Sequence, residues 1–297
     1  MRVSFWTTTQ QPWPDLLERA RTAEALGYHG VWVADHFMPS GDAVDAPMLE
    51  CFGVLGALAV AVPRVRLGSL VAGITYRHPA VLANQAATID EISGGRVVCG
   101  VGAGWQENEH VAYGIELGSI RARIDRFEEA CAIIRSLRDN ARTTATGDHY
   151  LVTDAPMEPK PSGAMPLLIG ASGERRMPGV VARFADEWNA WGTPETCAHK
   201  RPIFEAACEA IGRDPTTLVR STQALVLLGP DGAAKAEELA PIRPAIGGTA
   251  DQLVEVLGGY AEAGIDELIV PDFTLGGQTE TLEALEHLAR DVVAVAS

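Results

Sequence analysis

Asp35 and His36 stand side by side directly after an apolar run, and their chemistry makes them the first candidates for function. The run Val31-Trp32-Val33-Ala34 is typical of a buried strand. A histidine at a strand end can accept or donate a proton near neutral pH, and a neighbouring carboxylate could tune it or bind an amide or hydroxyl of a ligand. The alternative is that Asp35 caps the next segment and His36 only packs. Combined with the other strand ends, the pair indicates an acid–base site.

A run of small and basic residues follows the apolar stretch Leu167–Gly170, and it reads Ala171-Ser172-Gly173-Glu174-Arg175-Arg176. Small residues between a strand and a helix leave backbone N–H groups and the helix dipole free to hold an anion. Two arginines lie close by in the sequence. The run therefore predicts a phosphate-binding turn, with simple helix capping by Ser172 as the alternative.

Glycines and tryptophans mark further strand ends. The run Gly102-Ala103-Gly104 could cradle a phosphate, although this short pattern fits a tight strand-to-helix turn equally well. Trp6, Trp105, Trp188 and Trp191 all fall at or near strand ends. Aromatic side chains at the mouth of a pocket could flank a planar ligand, while ordinary packing is the alternative for each one alone. Trp6 and Trp105 are the candidates for a substrate pocket.

Composition and motifs exclude several function classes. The chain has 297 residues and a net charge of −15, which argues against nucleic acid, because such binding depends on clustered Lys and Arg. There is no GxSxG, no HExxH and no pair of histidines at ligand spacing, so neither a hydrolase nor a metal site is predicted. Five widely spaced cysteines indicate core thiols rather than disulfides.

The N-terminal residues and the hydropathy pattern indicate where in the cell the protein is expected. No apolar run approaches the roughly 20 residues of a membrane span. The chain begins with a predicted strand where a secretory signal would have its apolar region. We therefore expect a cytoplasmic protein that acts on a small molecule. The apolar helix Cys51–Val62 suggests a homodimer, although loops could cover it instead.

The elements that must position these residues alternate between strand and helix along the whole chain. Repeated βα units predict one (β/α)8 barrel, also called a TIM barrel, as a single α/β domain over residues 1–297. No dinucleotide fingerprint follows the first strand, which argues against a doubly wound sheet. After the fourth helix, residues 140–163 lose helical periodicity, and we expect a loop with a short hairpin there. The predicted strands are Val3–Thr7, Gly30–Ala34, Val65–Val71, Arg96–Val101, Leu167–Gly170, Glu187–Trp191, Leu218–Leu228 and Glu267–Val270.

Six motifs fall in order along the chain, and their combination resembles the bacterial luciferase-like superfamily. They are Asp35-His36-Phe37, Gly68-Ser69-Leu70, Tyr76-Arg77-His78-Pro79, Asp90 with Ser93-Gly94-Gly95-Arg96, Gly102-Ala103-Gly104-Trp105, and Gly264-Ile265-Asp266-Glu267. Within this superfamily the chain is similar to the oxidoreductases that use the deazaflavin coenzyme F420. Flavin mononucleotide (FMN) enzymes share the barrel and much of the pattern, so FMN stays the alternative cofactor.

The resemblance implies a site at the C-terminal mouth of the barrel. A non-proline cis peptide, expected at Ser69-Leu70, would lie in a bulge behind the deazaflavin ring, and Asn108 would contact the cofactor. The catalytic residue implied is His36. The implied cofactor-binding residues are Asp35, Ser69, Leu70, Ala72, Ala103, Asn108, Ala171, Ser172, Gly173, Arg175 and Arg176.

One position departs from the family pattern. The similar F420-dependent sugar-phosphate and alcohol dehydrogenases carry a glutamate two residues after the position of Ala103, and this chain has Trp105 there. Because an indole cannot transfer the substrate proton, these two activities are not expected, and a flatter or more apolar substrate is favoured. The leading hypothesis is an F420-dependent oxidoreductase. The alternatives are an FMN-dependent monooxygenase that uses reduced flavin and oxygen, and a non-catalytic protein that binds F420 or flavin.

Overall fold

A computed structural model describes residues 1–41 and 43–296 of the chain. Its strands, in chain order, are β1 (Arg2–Trp6), β2 (Gly30–Val33), β3 (Arg66–Ser69), β4 (Ala72–Gly73), β5 (Val97–Gly102), β6 (Thr143–Thr146), β7 (Leu151–Ala155), β8 (Leu167–Gly170), β9 (Glu187–Trp191), β10 (Val219–Gln223), β11 (Leu225–Leu228), β12 (Ala245–Gly248) and β13 (Glu267–Pro271). Eight of them are parallel and form a closed ring in the order β3-β2-β1-β13-β10-β9-β8-β5, since β5 also pairs with β3. The predicted (β/α)8 barrel is confirmed.

Helices surround this barrel. They are α1 (Trp13–Ala25), α2 (Cys51–Ala61), α3 (Pro79–Ser93), α4 (Glu107–Tyr113), α5 (Ile120–Asp139), α6 (Met177–Phe184), α7 (Pro194–Glu209), α8 (Gly232–Leu239), α9 (Ala250–Glu262) and α10 (Gln278–His287), the last continued by a π turn and a short α11 (Ala294–Ala296). Sequence signals explain their ends. Pro79 occupies the first turn of α3, Gly94 ends that helix at a φ of 71°, and Thr249 caps α9 in the predicted capping box. None of the helices in the described ranges is long and apolar enough to cross a membrane.

Two predicted elements need correction, and a third is confirmed. The single strand expected over Leu218–Leu228 breaks at Ala224: β10 stays in the barrel, while β11 pairs with β12 and packs with α8 beside the barrel. No glycine or proline separates the two strands, and only Ala224 lies between them, so the sequence reads as one continuous strand. Helix α4 lies where a loop was expected. The hairpin within 140–163 is confirmed as the antiparallel pair β6–β7.

The two ends of the barrel differ in chemistry. At the N-terminal end, Arg66 forms ion pairs with Glu187 and Glu267 inside the ring, and Ser4 donates a hydrogen bond to Glu267. Above these groups an apolar layer fills the barrel with Trp32, Val98, Leu168 and Ile269. These two layers close the N-terminal end of the barrel. A ligand can therefore enter only at the C-terminal end.

A bulge follows strand β3. The cis peptide lies at Leu70-Val71, one bond later than the predicted Ser69-Leu70, because Ser69 is still paired in the sheet with Val33. At the bulge, the Val71 side chain packs closely against glycines of the neighbouring strands. A Cβ added at Gly102 would come within 2.6 Å of Val71, and one at Gly100 within 2.0 Å of the Ser69 carbonyl oxygen. Glycine at these two positions therefore makes room for the bulge.

Helix α2 is the apolar helix on which a homodimer was predicted. Its exposed positions, Gly53, Ala57 and Val60, carry no charge, and Val60 is 74% exposed. The described loops therefore leave this part of the helix uncovered. The homodimer stays a prediction, which sedimentation velocity would test directly.

Candidate active site

A cavity of about 1090 Å³ opens at the C-terminal ends of the barrel strands. The ring order divides its wall into two halves. One half follows the adjacent strands β2, β3, β5 and β8 and contains His36, Leu70, Ala103 and Ser172. The other half follows β1, β13, β10 and β9 and is more aromatic. Strand-end residues that are far apart in the sequence thus converge on one site, as the barrel fold requires.

His36 is held in place by a buried carboxylate. Its Nδ1 lies 2.7 Å from Oε1 of Glu109, and Oε2 of Glu109 accepts a hydrogen bond from the backbone N–H of Phe37 at 2.9 Å. The hydroxyl of Tyr76 also donates to Glu109. Burial raises the pKa of the Glu109 carboxyl, but the hydrogen bonds from His36, Tyr76 and Phe37 outweigh it and bring that pKa below its usual value. Glu109 is therefore a carboxylate that orients the imidazole.

Helix α4 supplies Glu109, and a second histidine anchors this helix. His110 Nδ1 donates to the carbonyl oxygen of Gln106 at 2.7 Å, which leaves Nε2 to accept from the Thr75 hydroxyl at 2.8 Å. Gln106 in turn donates to the carbonyl of Met38, in the loop that follows His36. These bonds fix α4 against the loop after β2. Glu109 lies 73 positions from His36 in the sequence, so no local pattern indicates that the two side chains are partners.

Asp35 lies in the cavity wall, but its oxygens are already engaged. They accept two hydrogen bonds from Arg77, at 2.6 and 3.0 Å, and one from the backbone N–H of Gly73 at 3.1 Å. Burial raises the pKa of Asp35, opposed by Arg77 and by the Gly73 bond. Arg77 also pairs with Glu50 at 2.5 Å. Asp35 therefore ties the loop after β2 to the bulge that follows β3.

The bulge contributes only part of its predicted contacts to the cavity. Leu70 and Val71 line it. Ser69 does not, because its hydroxyl donates to the Gly100 carbonyl at 2.7 Å inside the sheet. Ala72 is fully buried and also lies outside the lining. These two predicted residues therefore lie behind the bulge rather than in the cavity wall.

The turn after β8 divides into a lining part and an outward part. Ala171, Ser172 and Gly173 line the cavity as predicted, but Arg175 and Arg176 are exposed and do not. Helix α6 begins at Met177, so both arginines lie in the exposed connection between β8 and this helix. Arg176 forms ion pairs on the outer face of α5, with Asp125 at 2.7 Å and Glu128 at 3.6 Å.

Three of the predicted site residues follow strand β5, and of these Asn108 alone lies outside the cavity lining. Asn108 donates to the carbonyl oxygen of Pro39 at 2.9 Å and does not line the cavity, so it holds a loop instead of facing a ligand. Trp105 lines the cavity, yet its side chain is 57% exposed, which places it on the rim. Its ring lies perpendicular to the imidazole of His36, with 5.4 Å between the ring centroids. Ala103 lines the cavity as predicted.

The opposite half of the cavity is aromatic and carries polar atoms without partners. The ring of Trp6 lies 5.7 Å from that of Trp191 and 4.9 Å from that of Phe273. The Arg243 guanidinium lies over Trp191 at 4.6 Å, and burial lowers its pKa. Four buried polar atoms on this side have no hydrogen-bond partner in the described chain: Nε1 of Trp6, Oγ1 of Thr9, Oε1 of Gln11 and Oε1 of Gln223.

Comparison with known proteins identifies the family. The model of the luciferase-like monooxygenase family matches residues 1–286. The chain belongs to this family. An F420-dependent hydroxymycolic acid dehydrogenase from Mycobacterium tuberculosis is 31% identical over 220 residues, covering 74% of this chain and 60% of the relative. An F420-dependent glucose-6-phosphate dehydrogenase from Amycolatopsis mediterranei is 35% identical over 188 residues, covering 62% and 54%. The alignments thus span little more than half the length of these relatives.

Several solved structures share the whole fold of this chain. An F420-dependent secondary alcohol dehydrogenase, in complex with an F420–acetone adduct, superposes with a TM-score of 0.86 and 22% identity over 99% of this chain and 98% of that one. A monooxygenase from Streptomyces bottropensis reaches a TM-score of 0.81 at 19% identity, with both chains fully covered. At this level of identity the likeness establishes the barrel, while the chemistry must be argued from the site.

Proposed function

We propose that this luciferase-like protein is an oxidoreductase that uses the deazaflavin F420 and exchanges a hydride with a small organic substrate. The observation that carries the proposal is the position of His36. Its imidazole lies in the wall of a large cavity and is oriented by the buried carboxylate of Glu109. Histidine is the side chain that enzymes use most often as a general acid or base. The F420-dependent relatives support F420 as the cofactor.

The cavity fits two molecules at once. Its volume of about 1090 Å³ lies just above the range of roughly 300–1,000 Å³ that is usual for ligand pockets. The half on β2, β3, β5 and β8 would hold the cofactor, with Leu70 and Val71 behind the ring and Ser172 and Gly173 at its phosphate. Bound there, F420 would supply the hydride acceptor or donor at C5. The unpartnered polar atoms of the aromatic half support a second, polar ligand opposite.

His36 would accept or donate the proton that accompanies the hydride transfer. Its Nδ1 is committed to Glu109, so Nε2 is the nitrogen left to exchange a proton with the substrate. During oxidation the substrate would lose a hydride from carbon to the cofactor and a proton from its heteroatom to Nε2. Glu109 would stabilise the imidazolium that forms. Trp105 occupies the place of the relatives' glutamate, so His36 is the acid or base that the site offers.

The substrate would enter on the aromatic side. Trp6, Trp191 and Phe273 provide flat apolar walls, and Trp105 narrows the rim. These walls favour a flat or apolar body, and the unpartnered atoms of Gln11 and Gln223 favour a group that can donate hydrogen bonds. The relatives' substrates differ widely in size and polarity, so the identity of the substrate must come from a screen.

A side-by-side titration with F420 and FMN tests this function. We expect F420 to bind more tightly and its visible absorbance to change when a panel of alcohols and other reduced substrates is added. His36→Gln should retain F420 binding and lose turnover, while His149→Gln, on an exposed hairpin turn, should retain both. Failure to bind F420 would end the proposal. Oxygen-dependent turnover with reduced FMN would favour the monooxygenase, and a His36→Gln variant with unchanged turnover would remove His36 from the mechanism.

A further inference from the structure

Three arginines line the cavity, and they differ in how their charge is balanced. Arg19 forms an ion pair with Asp272 at 2.8 Å. Arg243 stacks on Trp191 on the aromatic side. Arg123 lies on α5, and no carboxylate within residues 1–41 and 43–296 reaches ion-pair distance from it. A partly buried guanidinium without a counter-charge is costly, because burial removes hydration that nothing replaces. The charge of Arg123 is thus available to a ligand.

The position of Arg123 is set by the helix that carries it. Helix α5 follows β5, precedes β8 and packs against α6. Ile120, Arg123 and Ile124 share the face that lines the cavity, whereas Asp125 points outward to Arg176. Arg123 therefore belongs to the same half of the cavity as Ser172 and Gly173.

Arg123 is also held in a fixed orientation. Its Nη1 donates to the carbonyl oxygen of Gly104 at 2.7 Å, at the end of the turn that follows β5. Its Nε is buried without a partner. One terminal nitrogen is thus anchored to the backbone, and the rest of the guanidinium lacks the bonds that it can make. Such a group suits a phosphate, whose oxygens accept charge-assisted bonds from arginine.

We propose that Arg123 is the side chain that binds the phosphate of the cofactor, beside the Ser172–Gly173 turn, in the role that the sequence had given to Arg175 and Arg176. The proposal rests on the proposed use of F420. Helix α5 would then provide the positive charge for a phosphate-binding turn that lies far away from it in the sequence. The backbone N–H groups of the turn would bind the phosphate from one side, and the guanidinium of Arg123 would bind it from the other.

The test compares three ligands by fluorescence titration: a deazaflavin without the phosphate, the phosphorylated cofactor without its glutamate tail, and complete F420. Arg123→Gln should weaken both phosphorylated ligands by about tenfold to a hundredfold, the loss of one charge-assisted interaction. It should change the affinity for the phosphate-free ring by less than threefold. Arg176→Gln removes the same charge from the exposed, outward-facing arginine and should leave all three affinities within twofold.

Each other outcome has a definite meaning. Equal weakening of all three ligands would show that Arg123 only shapes the site, which overturns the proposal. Weakening of complete F420 alone would assign Arg123 to the glutamate tail, which also overturns it. If the Arg123→Gln protein does not fold, Arg123→Lys keeps the charge and should bind the phosphorylated ligands within about tenfold of wild type; a larger, phosphate-independent loss would refute the assignment. Failure of the wild type to bind any of the three would instead refute the proposed function.

Discussion

Replacing Glu109 with glutamine tests whether this carboxylate organises the site. The side chain is fully buried and accepts hydrogen bonds from His36, Phe37 and Tyr76. Glutamine offers one acceptor oxygen and an amide that can only donate, so at least one of the three donors loses its acceptor. Hydrogen bonds to a charged group contribute about 1.5–3 kcal/mol, and a buried unsatisfied donor costs about 1–3 kcal/mol. We expect Glu109→Gln to lower the free energy of unfolding by about 2–4 kcal/mol at pH 7.

The pH dependence of this loss gives a sharper test. The hydrogen bonds place the pKa of Glu109 in the folded protein below its usual value. The stabilisation is therefore present above the unfolded-state pKa of about 4.3 and is lost as the pH falls through the lower folded-state pKa. The difference between wild type and Glu109→Gln should therefore narrow as the solution becomes more acidic than about pH 4, where the carboxylate is protonated.

Urea unfolding curves at several pH values measure both quantities. The matched control is Glu107→Gln, two residues earlier on α4, because that carboxylate is exposed and should change the free energy of unfolding by less than about 0.5 kcal/mol. A Glu109→Gln loss below that limit at pH 7 would refute the reasoning. So would a loss of the same size at pH 7 and at the acidic end of the folded range, since the effect would then not depend on the carboxylate charge.

Two further substitutions test how the bulge and the loop after β2 are held. Gly102→Ala would drive a Cβ to 2.6 Å from the bulge and should destabilise the protein by about 1–3 kcal/mol in urea unfolding, whereas Gly179→Ala, with open space on α6, should be neutral or stabilising. Arg77→Ala leaves the buried Asp35 carboxylate without its cation and should cost about 3–5 kcal/mol. Arg142→Ala removes an ion pair with Asp154 in which both side chains are more than half exposed, and it should cost at most about 1 kcal/mol by the same measurement. Equal effects of the two arginine substitutions would contradict the second prediction.

Much of the barrel was predictable, because its strands carry strong local signals. Strands β8 and β9 begin and end at the predicted residues. Strand β8 is an apolar run bounded by turns, and in β9 the apolar Trp188 and Ala190 alternate with polar residues. The start of α9 was predictable from the capping box at Thr249, which acts over four residues. The break at Ala224 was not, because it depends on β11 finding a partner in β12, far along the chain.

The site was predictable to the level of the loops but not of the individual side chains. Position after a strand correctly brought His36, Leu70, Ala103 and Ser172 to one cavity. It could not tell which neighbouring residues turn away from it. Asn108 bonds to a loop, and the direction of its side chain follows from where α4 begins.

The sequence by itself determined the alternation of strands and helices, the family, and the strand ends that carry chemistry, because each of these depends on residue types within a few positions. The tertiary structure alone decided the pairing of His36 with Glu109 and the direction of the two arginines after β8. These depend on how α4, α5 and α6 pack around the barrel. Side chains 73 positions apart meet only after the ring closes. A local pattern cannot encode such a contact, since the packing of the whole barrel sets its distance and its burial.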